Sequence, residues 1–93
     1  MDIHRKAMEV FGDAHQIHRT VEELNELSLI VLKALRTGPG TVEDPREDII
    51  GEVADVLETL NYLYIKYNIS EREVDKARLV KRKKLYKYIQ ESE

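Results

Sequence analysis

The chain has 93 residues, with 15 basic and 18 acidic side chains, a net charge of −3 and no cysteine. That length suits one small domain over residues 1–93, and the lack of cysteine excludes disulfides and thiolate metal sites. Arg36, Glu52 and Lys66 interrupt every long apolar segment, so no membrane span is expected. Met1-Asp2-Ile3-His4-Arg5-Lys6 leads into no apolar run of the kind a signal peptide needs, and a cytoplasmic protein is the simplest expectation. The charge is unevenly spread. Residues 1–70 carry 7 basic and 13 acidic groups, and residues 71–93 carry 8 basic and 5 acidic. A basic end beside an acidic body suits a nucleic-acid tail or the anionic half of a metal-bound ligand.

In chain order, residues 3–11 predict a short helix, with Ile3, Ala7 and Val10 at helical spacing and Gly12 interrupting it. Asp13 can cap a second helix, with Gln16 at the capping-box position. This helix is expected from about Ala14 to Arg36. Ile17, Val21, Leu24, Val31 and Leu35 form one face, and Leu27 and Ile30 widen it. So broad an apolar arc predicts neighbours on two sides. Residues 37–43 hold the clustered glycines and a proline of a loop. Asp44-Pro45-Arg46-Glu47 then reads as a cap, a proline at the first helical position and a glutamate three after the cap. The third helix is expected to reach about Tyr67, with Asn68 able to take the left-handed conformation that ends a helix. Ser70-Glu71-Arg72-Glu73 is a capping box that opens a last helix to about Gln90. Its apolar positions are Val74, Ala77, Leu85, Tyr88 and Ile89. With no strand signal and no repeat, the fold class is all-α, four helices with a short first one.

Two acidic pairs dominate the chemistry. Glu23 and Glu26 lie three apart on the second helix, and Glu52 and Asp55 three apart on the third, so each pair shares a face. At about 100° per residue from Glu22, Glu23 falls near 100°, between Ile30 near 80° and Ala34 near 120°. Glu23 thus points into the apolar stripe, Glu26 sits on its margin and Glu22 points away. With Glu52 at zero, Leu63, Val56, Ile49 and Leu60 fall between about 20° and 80°, so Glu52 borders that stripe and Asp55 lies about 60° further out. Buried carboxylates are costly unless paired or bound to metal, and neither motif contains a lysine or arginine. An all-oxygen ligand set favours Mg²⁺, or Mn²⁺, over iron or zinc. A di-iron bundle would need Glu-x-x-His on two helices. His15 and His18 share a face but precede the acids by a turn or two, and they read as surface histidines. Glu22, Glu47, Asp48 and Glu58 read as solvated charges.

Glu22-Glu23-x-x-Glu26, followed after 25 residues by Glu52-x-x-Asp55, resembles the signature of the MazG-like nucleoside triphosphate pyrophosphohydrolases. The resemblance covers about residues 10–90. It implies a four-helix MazG-like arrangement completed by oligomerisation, as a homodimer or homotetramer. It also implies conversion of NTP and water to NMP and pyrophosphate, with Mg²⁺ held by Glu23, Glu26, Glu52 and Asp55. The family often carries a lysine with an asparagine on its last helix, whereas this chain has Lys81-Arg82-Lys83-Lys84 and no asparagine there. Arg78 and Lys81 share a side with Val74 and Leu85 and are the better phosphate candidates of the basic run, whose alternative reading is a solvated face that complements the helix C-terminus. Gln16, two turns before Glu23 on the same face, suits either a nucleotide contact or a structural or capping role, and Glu22 is a candidate general base. Tyr62, Tyr64 and Tyr67 are able to stack on a base, but Tyr64 and Tyr67 follow the apolar arc of core or interface. Two other classes compete. One is a catalytically silent helical regulatory or interaction module of the same fold, which has no reason to keep costly acids at the core margin. The other is a nucleic-acid binder using the basic last helix, which the acidic balance and the lack of a reading helix disfavour.

Overall fold

The computed structural model describes residues 2–37 and 44–93, and they form four helices with no strand among them. These are α1 (Ile3–Phe11), α2 (Asp13–Thr37), α3 (Arg46–Lys66) and α4 (Glu71–Ser92). The loop expected at 37–43 lies, apart from Thr37 at the end of α2, outside the described residues.

The ends of the helices follow local chemistry. Asp2 caps α1 by accepting from the backbone N–H of His4 and Arg5 at 3.1 and 3.2 Å. Gly12 then turns the chain with φ 95° and ψ 146°, a conformation that other residues rarely adopt. Asp13 lies in the first turn of α2 rather than ahead of it, and its carboxylate faces Lys66 of α3 at 3.5 Å. Pro45 occupies the cap position of α3, and Asp44 accepts from the backbone N–H of Arg46 at 3.0 Å. Asn68, at φ 52°, ends α3 with the paired bonds of a Schellman turn, Asn68 N–H to Ile65 and Ile69 N–H to Tyr64. The Ser70–Glu73 capping box of α4 is complete.

α2 and α3 pack antiparallel, with α1 folded against both. At their crossing Thr20 is almost fully enclosed. Its hydroxyl reaches the carbonyls of Gln16 at 3.2 Å and Thr59 at 2.9 Å. Two threonines facing each other let the backbones approach closely. The enclosed side chains include Met8, Val56 and Tyr62 but also Gln16, Thr20, Glu23 and Thr59, so the seam is as polar as it is apolar. α1 is held by Met8 and by His4, whose Nε2 lies 2.8 Å from Glu58 and whose ring meets Tyr62 edge-on at 5.6 Å.

The helix faces divide differently from the expectation. On α2 it is the Leu27 and Ile30 side, with Gln16, Thr20, Glu23 and Ala34, that turns inward. Val21, Leu24, Val31 and Leu35 stay exposed, as do Ile50, Val53 and Leu57 on α3. α4 has no buried residue and does not pack on the three-helix unit. The radius of gyration is 17.0 Å, against about 12 Å for a compact chain of this length. The accessible surface is 7732 Å², about 2,000 Å² more than expected for a folded monomer of this mass.

Candidate metal centre

Because α2 and α3 run antiparallel, Glu23 from one and the i, i+3 pair Glu52 and Asp55 from the other meet across the seam. Glu23, Glu52 and Asp55 each offer a carboxylate oxygen, and these three oxygens lie within 4.8 Å of one another. Glu23 is only 8% exposed. Oε2 of Glu23 and Oε2 of Glu52 are both enclosed and have no hydrogen-bond partner. A buried carboxylate oxygen without a donor is expensive, and here two of them face a third acid.

Among the described residues, a cation reaches the cluster at long range. Arg19, one turn before Glu23 on α2, brings Nη2 to 3.8 Å from Glu23 Oε1. Burial above all, and then the negative charges of Glu26, Asp55 and Glu52, push the Glu23 carboxyl up to about 7. Glu52 is also raised, first by burial and then by Glu26 and Asp55. Oxygen ligands of a single Mg²⁺, each about 2.1 Å from it, stand about 3–4 Å apart. The triplet is therefore close to the span of a hard divalent cation, and its donors are all oxygens that such an ion prefers.

The remaining sequence-predicted residues are spread more widely. Glu26 is exposed and outside the triplet, yet near enough to raise both Glu23 and Glu52. Glu22 points outward, 3.6 Å from His18. Gln16 is buried, with Oε1 2.7 Å from His15 Nδ1. Arg78 is exposed and 3.9 Å from Asp75 of its own helix, and Lys81 is exposed. Since α4 does not pack on the other helices, the chain does not bring either of them to the acids. Tyr62 is enclosed, Tyr64 half-buried and Tyr67 exposed. Glu58, read as a solvated charge, holds His4.

Two features escaped the sequence reading. Arg19 was legible in principle, since it stands four residues before Glu23, at ion-pair spacing on a helix. The second is a cleft of about 640 Å³ between α1, α2 and α3, lined by Ile3, His4, Ala7, Phe11, His15, Gln16, Arg19, Glu58 and Tyr62. It depends on how α1 folds back at Gly12, which no spacing reveals. No protein-family model matches the chain, and no curated protein or solved structure matches it at a significant level.

Proposed function

We propose that this protein is a Mg²⁺-dependent nucleoside triphosphate pyrophosphohydrolase of the MazG-like kind, converting an NTP or dNTP to the monophosphate and pyrophosphate. The observation that carries the reading is the pair of enclosed, partnerless carboxylate oxygens on Glu23 and Glu52, set within 4.8 Å of a third oxygen on Asp55. Such a group is poorly satisfied by the chain alone and well suited to a hard cation. Mn²⁺ fits the same donors.

Glu23, Glu52 and Asp55 would hold the ion, and Glu26, the fourth ligand expected from sequence, stands beside them. The bound ion supplies neutralisation of the triphosphate and acidification of the attacking water. Water attacks the α-phosphorus, the bond to the α,β-bridging oxygen breaks, and pyrophosphate leaves with that oxygen and its electron pair. The proton released by water goes to a carboxylate. Glu22 is the general base expected from sequence, but it faces His18. Glu26 stands beside the triplet and is the better-placed acceptor.

The assembly proposed is a homodimer or homotetramer. The exposed apolar faces of α2 and α3 and the surface excess of about 2,000 Å² per chain match what an obligate interface covers. In such an assembly α4 of a neighbouring copy is able to bring Arg78 and Lys81 to the phosphates. No helix among the described residues is long and apolar enough to cross a membrane, and housekeeping of the cytoplasmic nucleotide pool is the proposed role.

The experiment is a substrate screen of the purified protein with Mg²⁺ and each NTP and dNTP, scoring pyrophosphate against orthophosphate. Pyrophosphate with NMP is expected. Orthophosphate with a diphosphate would place attack at the γ-phosphorus and reject the proposal.

A further inference from the structure

We infer that the cleft between α1, α2 and α3 is the nucleoside half of this site, with Gln16 reading the edge of the base and Arg19 contacting the phosphate next to the sugar. The inference rests on the nucleotide reading above and assigns its substrate-binding half.

Position along α2 is the first argument. Gln16, Arg19 and Glu23 follow one another at helical spacing, and the seven-residue step from Gln16 to Glu23 covers about 10 Å along the axis. Arg19 lines the cleft and also reaches Glu23 at 3.8 Å, so it stands where the cleft meets the acids. A ligand lying along this line has one end in the cleft and the other at the carboxylates. The walls of the two ends differ. The cleft end mixes rings and alkyl groups with Gln16, Arg19 and the His4–Glu58 pair. Phe11 and His15 stand with ring centres 6.1 Å apart, and Tyr62 forms part of the lining. The other end carries only acids. An aromatic, uncharged head joined to a polyanionic tail that travels with a divalent cation fits both, and a nucleotide has that form. The volume, about 640 Å³, is in the range of small-molecule sites.

Gln16 supplies the polar reading group. It is 4% exposed, yet it lines the cleft. With the His15 proton on Nδ1, the 2.7 Å contact fixes the Gln16 carbonyl oxygen on His15 and leaves the amide N–H groups for an acceptor on the base. A buried amide held by a neighbour is positioned in advance, which is what discrimination requires. Arg19 has five N–H donors and, among the described residues, a single, long ion pair, so its guanidinium is suited to a phosphate oxygen.

Binding is read first without catalysis. Amide resonances of the ¹⁵N-labelled full chain are followed with a chelator present, while each nucleoside monophosphate and then inorganic pyrophosphate is added. The monophosphate is expected to move the signals of Phe11, Gln16 and Arg19, and pyrophosphate to leave Phe11 and Gln16 unmoved. Kinetics form the second arm. Phe11 is exposed, so Phe11→Ala tests the ring contact without opening the core. Phe11→Ala and the near-isosteric Gln16→Met are expected to raise KM roughly tenfold with kcat largely kept. The Mg²⁺-induced rise in melting temperature should be unchanged in both. Monophosphates that move no cleft signal at millimolar concentration, or variants with the parent's KM, overturn the assignment and leave the hydrolase reading standing. Cleft shifts in a protein that hydrolyses no nucleotide support the subsite and reject the hydrolase.

Discussion

α4 and the α2–α3 pair are built from equally clear helix signals, and they end in opposite situations. α4 has a complete capping box, 22 helical residues and no buried side chain. The α2–α3 pair has no comparable box, yet it encloses Thr20, Thr59 and the Glu23 carboxylate. Capping and propensity decide that a segment is helical. Which face is covered, and by what, decides what the helix does. The seam between α2 and α3 places charge where charge is expensive, and α4 leaves most of its apolar residues exposed. The first condition motivates the proposed metal site and the second the proposed assembly.

The largest expected effect comes from removing the seam's charge. Glu23→Gln keeps the shape of the side chain and loses an anionic ligand, so pyrophosphate release should fall to background in the assay with Mg²⁺. The same change on Glu22, which faces His18, should leave most of the activity. If the two variants behave alike, the seam is no different from the surface.

Next is the exposed apolar face. Leu24 and Val31 are exposed on α2, flanking the face that packs on α3. An aspartate at either position, placed in an interface, should shift the protein from oligomer to monomer at micromolar concentration, read by light scattering. A parent that is already monomeric would remove the proposed assembly and any role for a neighbour's Arg78 or Lys81.

How much of this was legible in the residues differs between the two regions. The four helices and most of their ends were, because Gly12, Asp44-Pro45, Asn68 and the Ser70–Glu73 box are local signals. The inward direction of Glu23 was legible too, since Ile30 and Ala34 flank it on the wheel and all three face inward. The choice of α2 face was not. Val21, Leu24, Val31 and Leu35 form the main apolar face in the sequence and are exposed, because periodicity locates apolar stripes but does not say which of two stripes the same chain covers. Thr20 carried no hydrophobic signal, although it is the tightest point of the packing.

Thr20 gives the third expectation. Thr20→Val keeps the volume and removes the hydroxyl that reaches Gln16 and Thr59. The loss should be about 1 kcal/mol, or roughly 4–8 °C in melting temperature for a chain this size. The variant should still release pyrophosphate.

A further expectation is a slope against pH. The Glu23 carboxyl is raised in the folded chain from 4.5 to about 7. The folded state therefore binds this proton more readily than the unfolded chain, and the ionised group opposes folding. Its penalty is absent below about 4.5, grows between 4.5 and 7, and is complete above about 7. With chelator present, the parent should gain stability relative to Glu23→Gln as the pH is lowered from 8 to 5. A constant difference between the two melting curves would mean that Glu23 is not strained.

The central claim, that the seam holds costly acids for a cation, is tested most directly by melting curves of parent and Glu23→Gln, each with Mg²⁺ and with chelator, at one protein concentration. Ligand at about 100 times its Kd stabilises by about 2.7 kcal/mol, a rise on the order of 10 °C for a domain of this size. The parent should show that rise, and Glu23→Gln should lose most of it while melting no lower than the parent in chelator. A parent indifferent to Mg²⁺, together with a markedly destabilised Glu23→Gln, would make Glu23 a structural partner and contradict the metal centre.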